Sequence, residues 1–323
     1  MTASISSETF QTNIRVSSQQ PLRVGIGRAG AHHGEFLQGM FPEGGTLHRG
    51  LLTLPMPRMQ SVVTFWPDRS YDIRTRPEGR HKAAAAARVT LDALGYRDDG
   101  GLLTIESNIP FGHGYGSSTA DVIASIRAVA AATHSELRES AMCRLAVAAE
   151  TASDAVMFGA QAVLFAQREG RVIEYLPGEY PPLHVVGFSS PRDSGVDTLI
   201  FPPADYDHDE IETFRVLRAA ARRAIRAQDA DLLGHVATAS ARINQRYLPK
   251  DNLDEALAMS AEAGGCGVQV AHSGSLIGIL IDARTPDAAG RVERAVSKAR
   301  DGGFINIVHF TVSVDGVAAG ESR

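Results

Sequence analysis

Residues Ile109 to Ala120 read IPFGHGYGSSTA, in which glycines at positions 112, 114 and 116 precede two serines and a threonine. Glycines allow backbone angles that other residues avoid, and they leave no side chains between the main chain and a ligand. An apolar helical pattern begins directly after the loop. Because a helix N-terminus carries unpaired N–H donors and the positive end of the helix dipole, this stretch predicts a phosphate-binding site.

Glycine spacing alone fits a second interpretation equally well, namely a flexible turn whose serine caps a structural helix. Ser118 and Asp121, three residues apart, would form the capping pair. A Walker P-loop is excluded, because none of the three lysines, at positions 82, 250 and 298, follows a glycine-rich loop. A Rossmann fingerprint fits poorly, because the loop lies in mid-domain and no acidic residue marks the end of a second strand.

The chain has 323 residues, a length that predicts two domains rather than one core. Its net charge is −5 and its arginines are spread along the sequence, so we expect no nucleic-acid partner. The two cysteines, Cys143 and Cys266, lie far apart and without a CxxC motif. This pattern argues against a disulfide framework or a zinc site and is typical of a reducing cytoplasm.

The first twenty residues are polar and lack the basic start and apolar run of a signal peptide, so they predict a disordered tail over 1–20. No apolar stretch reaches the length of a membrane-spanning helix. We therefore expect a cytoplasmic protein with no membrane partner.

The first half predicts a mixture of strands and helices. A strand at PLRVGIG is followed by a hairpin of QSVVTFW and SYDIRTR around the Pro67-Asp68 turn, and a helix over 83–95 ends at Gly95. The strand GLLTIES leads into the glycine loop and its helix. A helix at ELRESAMCRLAVAAE and two strands, QAVLFAQ and RVIEYLP, complete this half.

The stretch PGEYPP, residues 177–182, predicts the domain boundary, with an N-terminal domain over 21–178 and a C-terminal domain over 179–323. The second half predicts a strand, helices near 209–229, 230–247 and 252–263, two strands, a helix and a last strand. Without the extra helices this order is β-α-β-β-α-β, the split arrangement of ferredoxin-like domains. The fold class is therefore α+β.

Three motifs carry a resemblance to a known family. Pro110-x-x-x-Gly114-x-Gly116-Ser117-Ser118-Thr119-Ala120 resembles the nucleotide loop of the GHMP kinases, the superfamily of galactokinase, homoserine kinase, mevalonate kinase and phosphomevalonate kinase. GIGRAGAHHGEFLQG, residues 25–39, resembles the family's N-terminal substrate-side motif, and GGCGVQVAHSGSLIG, residues 264–278, resembles its C-terminal glycine-rich motif. The likeness covers about residues 21 to 313.

Within the superfamily, GEFLQG, SSTAD, VAHSGSLIG and the VDT-x-x-F pattern over 196–201 resemble the L-threonine kinases of cobalamin side-chain synthesis. Two positions depart from that branch. His33 stands where the branch usually has cysteine, and Thr151-Ala152 stands where it tends to have an acidic residue and a proline before the Ser153-Asp154 pair.

The resemblance implies a fold with an N-terminal domain similar to ribosomal protein S5 domain 2 and a C-terminal ferredoxin-like domain. It also implies ATP and Mg²⁺ as cofactors. The residues implied in nucleotide binding all belong to the glycine loop and the first turn of its helix: Pro110, Gly112, His113, Gly114, Tyr115, Gly116, Ser117, Ser118 and Thr119.

The resemblance also implies the catalytic groups. Magnesium takes hard oxygen ligands and keeps several waters, so one hydroxyl and one carboxylate suffice, and these are Ser118 and Glu150, with Ser117 as the alternative to Ser118. Asp154 is the predicted base or orienting group for the attacking hydroxyl, which loses its proton late in a loose transition state. The competing interpretation makes Glu150 and Asp154 solvated i, i+4 neighbours at a helix end.

Glu35 is the predicted contact for an ammonium or hydroxyl of the acceptor, together with His33 and Gly34. For His32 we expect no ligand role. Trp66 lies near the place where such kinases hold adenine, but packing in the core or a turn is the expectation for it.

Two segments of the second half complete the predicted acceptor site. Arg192 could pair bidentately with an acceptor carboxylate. His272, Ser273 and Gly274 would close the phosphate or acceptor site from the other side, although a tight hairpin would have the same sequence.

These residues predict an ATP- and Mg²⁺-dependent kinase that phosphorylates the side-chain hydroxyl of a small amino acid, L-threonine first. The alternatives are a kinase for serine, homoserine or another hydroxylated small molecule, and a nucleotide-binding relative that has lost phosphoryl transfer. The sequence leaves the oligomeric state open, a homodimer included.

Overall fold

The structure, a computed structural model, describes residues 21–190, 204–271 and 274–312. The predicted tail over 1–20, the pattern over 196–201, and the predicted site residues Arg192, His272 and Ser273 lie outside the described residues.

Both halves of the described chain contain helices and strands, as predicted. The first half contains β1 (Gly25–Glu43), β2 (Thr46–Asp68), β3 (Ile73–Arg76), α1 (His81–Ala93), β4 (Gly100–Ser107), α2 (Ser117–Ala132), α3 (Glu139–Glu150), β5 (Gln161–Ala166) and β6 (Arg171–Glu179). The second half contains β7 (Leu183–Ser189), α4 (His208–Ala227), α5 (Ala230–Asn244), α6 (Leu253–Ala263), β8 (Gly267–Val270), β9 (Leu276–Asp282), α7 (Ala288–Asp301) and β10 (Ile305–Val312).

The strands form a single sheet in the order β10-β7-β9-β8-β1-β2-β4-β3, with β5 paired to β2 and β6 to β5. Its two halves meet where β1 pairs with β8, at Glu35 and Val270. The second half has the order β10-β7-β9-β8 and is antiparallel throughout, which confirms the predicted ferredoxin-like arrangement. The predicted boundary at 177–182 falls at the end of β6 and the link to β7, and it stays a prediction.

The hairpin predicted around the Pro67-Asp68 turn is wrong. β3 pairs in parallel with β4, and β4 lies between β2 and β3. β4 carries the buried side chains Leu103 and Ile105, which suit a central position, whereas the side chains of β3 are exposed or half-buried and suit an edge.

Two glycines of β1 let helix α2 lie directly on the sheet. A Cβ at Gly25 would come within 2.1 Å of the carbonyl oxygen of Ala128, and one at Gly27 within 2.0 Å of that of Ala124. Both distances are shorter than any real contact, so only glycine permits this packing. The close approach sets the position of the glycine loop, which leads into α2. Among the described helices, none is long and apolar enough to cross a bilayer.

Candidate active site

The glycine loop approaches α2 with an unusual backbone. Gly112, Gly114 and Gly116 have φ values of +85°, +95° and +70°, in the left-handed region that favours glycine. Pro110, Gly112 and His113 are exposed at the tip of the loop. Its base is anchored by Tyr115, which is 2% exposed and whose carbonyl accepts a hydrogen bond from the His32 N–H at 3.1 Å. The loop is therefore open at its tip and fixed at its base.

The first turn of α2 has no side-chain cap among the described residues. Its N-cap is Gly116, and the helix begins at Ser117, so Ser118 already lies inside the helix. The predicted Ser118–Asp121 capping pair is wrong, because the Asp121 carboxylate accepts a hydrogen bond from Ser61 at 2.6 Å and pairs with Arg80 at 3.1 Å. The N–H groups of the first turn have no intrahelical acceptors and are left for an anion at the loop.

Two carboxylates lie beside this helix N-terminus. Glu150 ends α3, and Thr151, with φ of +72°, turns the chain so that Asp154 comes before a short 3-10 helix. Glu150 is only 7% exposed, and the side chain of Asp154 is 22% exposed. This burial contradicts the interpretation of the two as solvated neighbours. The Thr119 hydroxyl of α2 donates to Asp154 at 3.4 Å.

Burial, and after it the nearby charge of Asp154, raise the pKa of Glu150 to about 7 against the opposing effects of the Thr119 hydroxyl and the Lys82 charge. The Oε1 atom of Glu150 is buried without a hydrogen-bond partner. A buried carboxylate oxygen without a partner is costly unless a cation or donor satisfies it. A hard cation such as Mg²⁺ fits that atom, and the half-buried Ser118 offers a hydroxyl on the first turn of α2.

Asp154 has a different environment. Its Oδ2 atom lies 3.0 Å from Nε2 of His32, which is completely buried. Burial would raise the pKa of Asp154, but the attraction and hydrogen bond of His32, with help from Thr119 and Lys82, hold it below its usual range. His32 reaches this position because residue 116 is glycine: a Cβ there would lie 2.2 Å from Cδ2 of the imidazole.

The hydrogen bonds of His32 define its tautomer. The Gly34 N–H donates to Nδ1 at 3.1 Å, so that nitrogen carries a lone pair and the proton lies on Nε2, facing Asp154. Burial opposes a second proton, while the carboxylates of Asp154 and Glu35 attract it and raise the pKa of the ring. Ligand atoms of His32, Glu35 and Asp154 lie within 4.8 Å of one another. Both imidazole nitrogens form hydrogen bonds within this cluster.

The neighbouring His33 points away from the carboxylates. It is completely buried, its ring lies 5.6 Å from that of Tyr115 and 5.5 Å from that of Phe310, and its Nδ1 atom is 2.5 Å from Nε2 of Gln269. Burial lowers the pKa of His33 to about 3, so the ring is neutral at pH 7. Its Nε2 atom has no hydrogen-bond partner.

The other predicted acceptor residues that the structure describes are Glu35, Gly34 and Gly274, and they lie near the place where the two halves of the sheet meet. Glu35 is 4% exposed and its Oε1 atom is 3.9 Å from Nδ1 of His32. Gly34, with φ of +73°, lies against Ala271, where a Cβ would come within 2.7 Å of the main chain. Gly274 lies against the glycine loop at His113 and Gly114. Of the described residues, the structure thus brings the predicted nucleotide loop, Glu150, Asp154, Glu35 and Gly274 into one region.

Sequence reasoning missed three contributors to this region. His32 was expected to have no ligand role, and its hydrogen bond to Asp154 was not foreseen. Lys82 lies on α1, and its charge lowers the pKa of both carboxylates, a proximity that no sequence pattern signals. Arg80 stacks over the exposed ring of Phe111, 4.8 Å from its centroid.

Arg80 also lines a groove of about 580 Å³ beside the loop, together with residues of β3 and the start of α1. Trp66, for which packing was expected, is 49% exposed on β2, so it is not a core residue.

Two family models match the chain: "GHMP kinases N terminal domain" over residues 81–164 and "GHMP kinases C terminal" over residues 221–301. The chain belongs to the GHMP kinases. The resemblance stated from the sequence motifs and the predicted two-domain α+β fold are both confirmed.

Curated relatives of this GHMP kinase include two L-threonine kinases. That of Citrobacter freundii is 32% identical over 195 residues, which are 57% of this chain and 64% of the relative. That of Salmonella typhimurium is 29% identical over 188 residues, 57% of this chain and 61% of the relative. The chain therefore matches somewhat less than two thirds of the length of these relatives.

Solved structures with the same fold share little sequence with it. Homoserine kinase from Cytophaga hutchinsonii has a TM-score of 0.63 at 16% identity, covering 93% of this chain and 96% of its own. Mevalonate pyrophosphate decarboxylase from Streptococcus pyogenes has a TM-score of 0.64 at 12% identity, covering 91% and 97%. At this level of identity the likeness concerns the fold alone.

Proposed function

We propose that this GHMP kinase transfers the γ-phosphoryl group of ATP to the side-chain hydroxyl of a small amino acid, with L-threonine as the first candidate. The proposal rests on one observation. A glycine loop and a helix N-terminus without a side-chain cap lie beside two carboxylates, and the pKa of Glu150 is raised while that of Asp154 is lowered. The identity of about 30% to two L-threonine kinases supports the choice of acceptor.

In this proposal the loop 110–116 and the first turn of α2 bind the phosphates of ATP through main-chain N–H groups. Glu150 and the hydroxyl of Ser118 would hold Mg²⁺, which neutralises charge on the β- and γ-phosphates. The tip of the loop is exposed, and Arg80, which stacks on Phe111 of the loop, also lines the neighbouring groove.

Asp154 acts as the base. Its pKa is held low, so it is ionised at neutral pH and can accept the proton of the acceptor hydroxyl as the oxygen attacks phosphorus. His32 contributes by donating from Nε2, which fixes the orientation of the carboxylate and leaves its other oxygen for the acceptor. Because the Gly34 N–H occupies Nδ1, the donor is held on the side of Asp154.

The acceptor lies beside Asp154, with its ammonium or hydroxyl group at Glu35. His33 is neutral and packs on Tyr115 and Phe310, so it contributes shape rather than charge. Arg192, His272 and Ser273 remain the predicted partners of the acceptor carboxylate and phosphate.

A second candidate function keeps the mechanism and changes the acceptor to homoserine, serine or another hydroxylated metabolite. His33 in place of the branch's cysteine, at the predicted acceptor site, favours this alternative. A non-catalytic nucleotide-binding protein is a third candidate, but Ser118, Glu150 and Asp154 are all present. The cytoplasmic location, the link to cobalamin synthesis and the homodimer stay predictions.

The decisive experiment measures ADP release with Mg-ATP against L-threonine, L-serine, L-homoserine and D-threonine, with the Asp154→Asn variant as the blank. We expect release that depends on L-threonine and is lost in the variant, and O-phospho-L-threonine identified by mass. Release with another acceptor would retain the kinase and replace the substrate.

If no acceptor supports release while Mg-ATP still raises the melting temperature, the binding-protein function replaces the kinase. A ligand at a hundred times its Kd stabilises the native state by about 2.7 kcal/mol, so this binding is measurable.

A further inference from the structure

One lysine of this protein is buried, and no catalytic role is predicted for it. The chain contains 32 lysine and arginine residues, and only three of them are lysines. Lys82 is exposed, and Lys298 pairs with Glu262 at the surface. Lys250, in contrast, is only 3% exposed. An ammonium group is costly to bury, so we expect it to have a hydrogen-bond acceptor and a structural or functional role.

The link between α5 and α6 holds Lys250 in a defined place. The side-chain amide of Gln245 closes a ring with the Lys250 main chain: its Nε2 donates to the Lys250 carbonyl at 2.7 Å, and its Oε1 accepts from the Lys250 N–H at 2.9 Å. These two bonds fix the backbone from which the lysine side chain starts. The ammonium group of Lys250 then donates to the carbonyl oxygen of Gly274.

Gly274 lies directly on the glycine loop. Its φ is +105°, and a Cβ there would lie 2.6 Å from the carbonyl oxygen of His113 and 2.7 Å from N and Cα of Gly114. No side chain fits between the two main chains. The contacts therefore run without a gap from Gln245 through Lys250 and Gly274 to the loop that precedes α2.

We propose that Lys250 is a positioning residue for nucleotide binding. Its ammonium group holds Gly274 against the glycine loop at His113 and Gly114, where the phosphates are proposed to bind. The proposal rests on the proposed function, because it takes the loop as the site of the ATP phosphates. The compact ammonium group suits a single buried carbonyl better than a forked guanidinium, in a chain that otherwise uses arginine. The buried positive charge of Lys250 is separated from the loop only by Gly274, so it also favours anionic ligands at the loop.

This role predicts an effect that grows with the number of phosphates. Lys250→Met keeps the length and apolar stem of the side chain and removes the donor. We expect it to weaken ATP binding about tenfold, as for one lost hydrogen bond of a charged group. ADP binding should weaken less, and adenosine binding should stay within a factor of about two, because adenosine does not contact the phosphate part of the loop. Calorimetric titration with the three ligands measures these affinities.

Lys298→Met is the matched control, because it removes a surface lysine far along the chain from the site. It should leave all three affinities unchanged. The proposal is overturned if Lys250→Met binds ATP like the wild type, or if adenosine binding weakens as much as ATP binding. If the wild type itself binds no ATP, the proposed function fails rather than this assignment alone.

A second pair of variants covers the outcome in which Lys250→Met does not fold. Gly274→Ala places a methyl group against His113 and Gly114 and should give the same selective loss of ATP affinity. Gly303→Ala is its control, since Gly303 also has positive φ, at +75°, but open space around it. Both carry backbone strain, so only the ATP-to-adenosine ratio distinguishes them. Equal ratios in the two alanine variants would overturn the proposal.

Discussion

Replacing Glu150 with glutamine should make this protein more stable and less active. The pKa of Glu150 is raised from 4.5 to about 7, chiefly by burial, which corresponds to about 3 kcal/mol between its protonated and ionised forms. The folded state binds this proton more tightly than the unfolded chain does. The contribution of this one carboxyl to stability is therefore fully present below pH 4.5 and is lost as the pH rises from 4.5 through about 7.

Glu150→Gln removes the charge and keeps the shape, so it removes this penalty. In metal-free buffer at pH 8 we expect the free energy of unfolding to rise by about 3 kcal/mol, and at pH 5 by only about 1 kcal/mol. Urea unfolding at the two pH values, with EDTA present, measures both changes. The exposed Glu106→Gln variant is the control and should change stability at neither pH.

Activity and metal binding should change in the opposite direction. Mg-ATP should stabilise the wild type much more than Glu150→Gln, because the variant lacks the carboxylate proposed for the metal, and its turnover should fall. An equal stability change at pH 5 and pH 8, or a loss of stability at pH 8, would refute the reasoning about burial. A variant with normal turnover and normal magnesium dependence would refute the assignment as ligand.

Three further substitutions test the other roles. His32→Leu removes a buried hydrogen bond to a carboxylate, worth about 1.5 to 3 kcal/mol, so kcat should fall by roughly 10- to 100-fold with little change in the KM for ATP. Because His32 lowers the pKa of Asp154, the acid limb of the pH–rate profile should move to higher pH in His32→Leu. His32→Gln keeps an N–H donor, so it should restore part of kcat and part of the acid limb's position. An acid limb that does not move would show that His32 does not act through the base. Ser118→Ala should raise the Mg²⁺ concentration needed for half-maximal rate, and an unchanged requirement would transfer the ligand to Ser117. Glu35→Gln should raise the KM of the acceptor far more than that of ATP, and the reverse pattern would remove Glu35 from the acceptor site.

Local sequence signals predicted the helices of this fold closely, but they indicated only the ends of the long strands β1 and β2. The helix predicted over 209–229 is α4, His208–Ala227, because its periodicity is strong and Asp207 and Glu210 form a capping box at its start. The glycine loop was equally readable, since its left-handed glycines are a local property of the chain. Such features depend on residues that are neighbours in sequence.

Features that depend on distant residues were missed or misread. The pairing of β3 with β4 depends on which strand has more apolar surface to bury. The residues of the turn between β2 and β3 do not indicate this pairing. The bond between His32 and Asp154 joins residues 122 positions apart. The Ser118–Asp121 pair had good capping spacing, but Ser61 and Arg80 bind Asp121 from other elements.

The seam between the two halves of the sheet has a mechanical consequence. Among the described residues, Glu35 and Val270 are the single registered pair that joins β1 to β8. A ladder one pair wide resists shear far less than the ladder of sixteen registered pairs between β1 and β2. That single pair includes the residue proposed to contact the acceptor, so any movement of the two halves relative to each other at this ladder would change the position of Glu35.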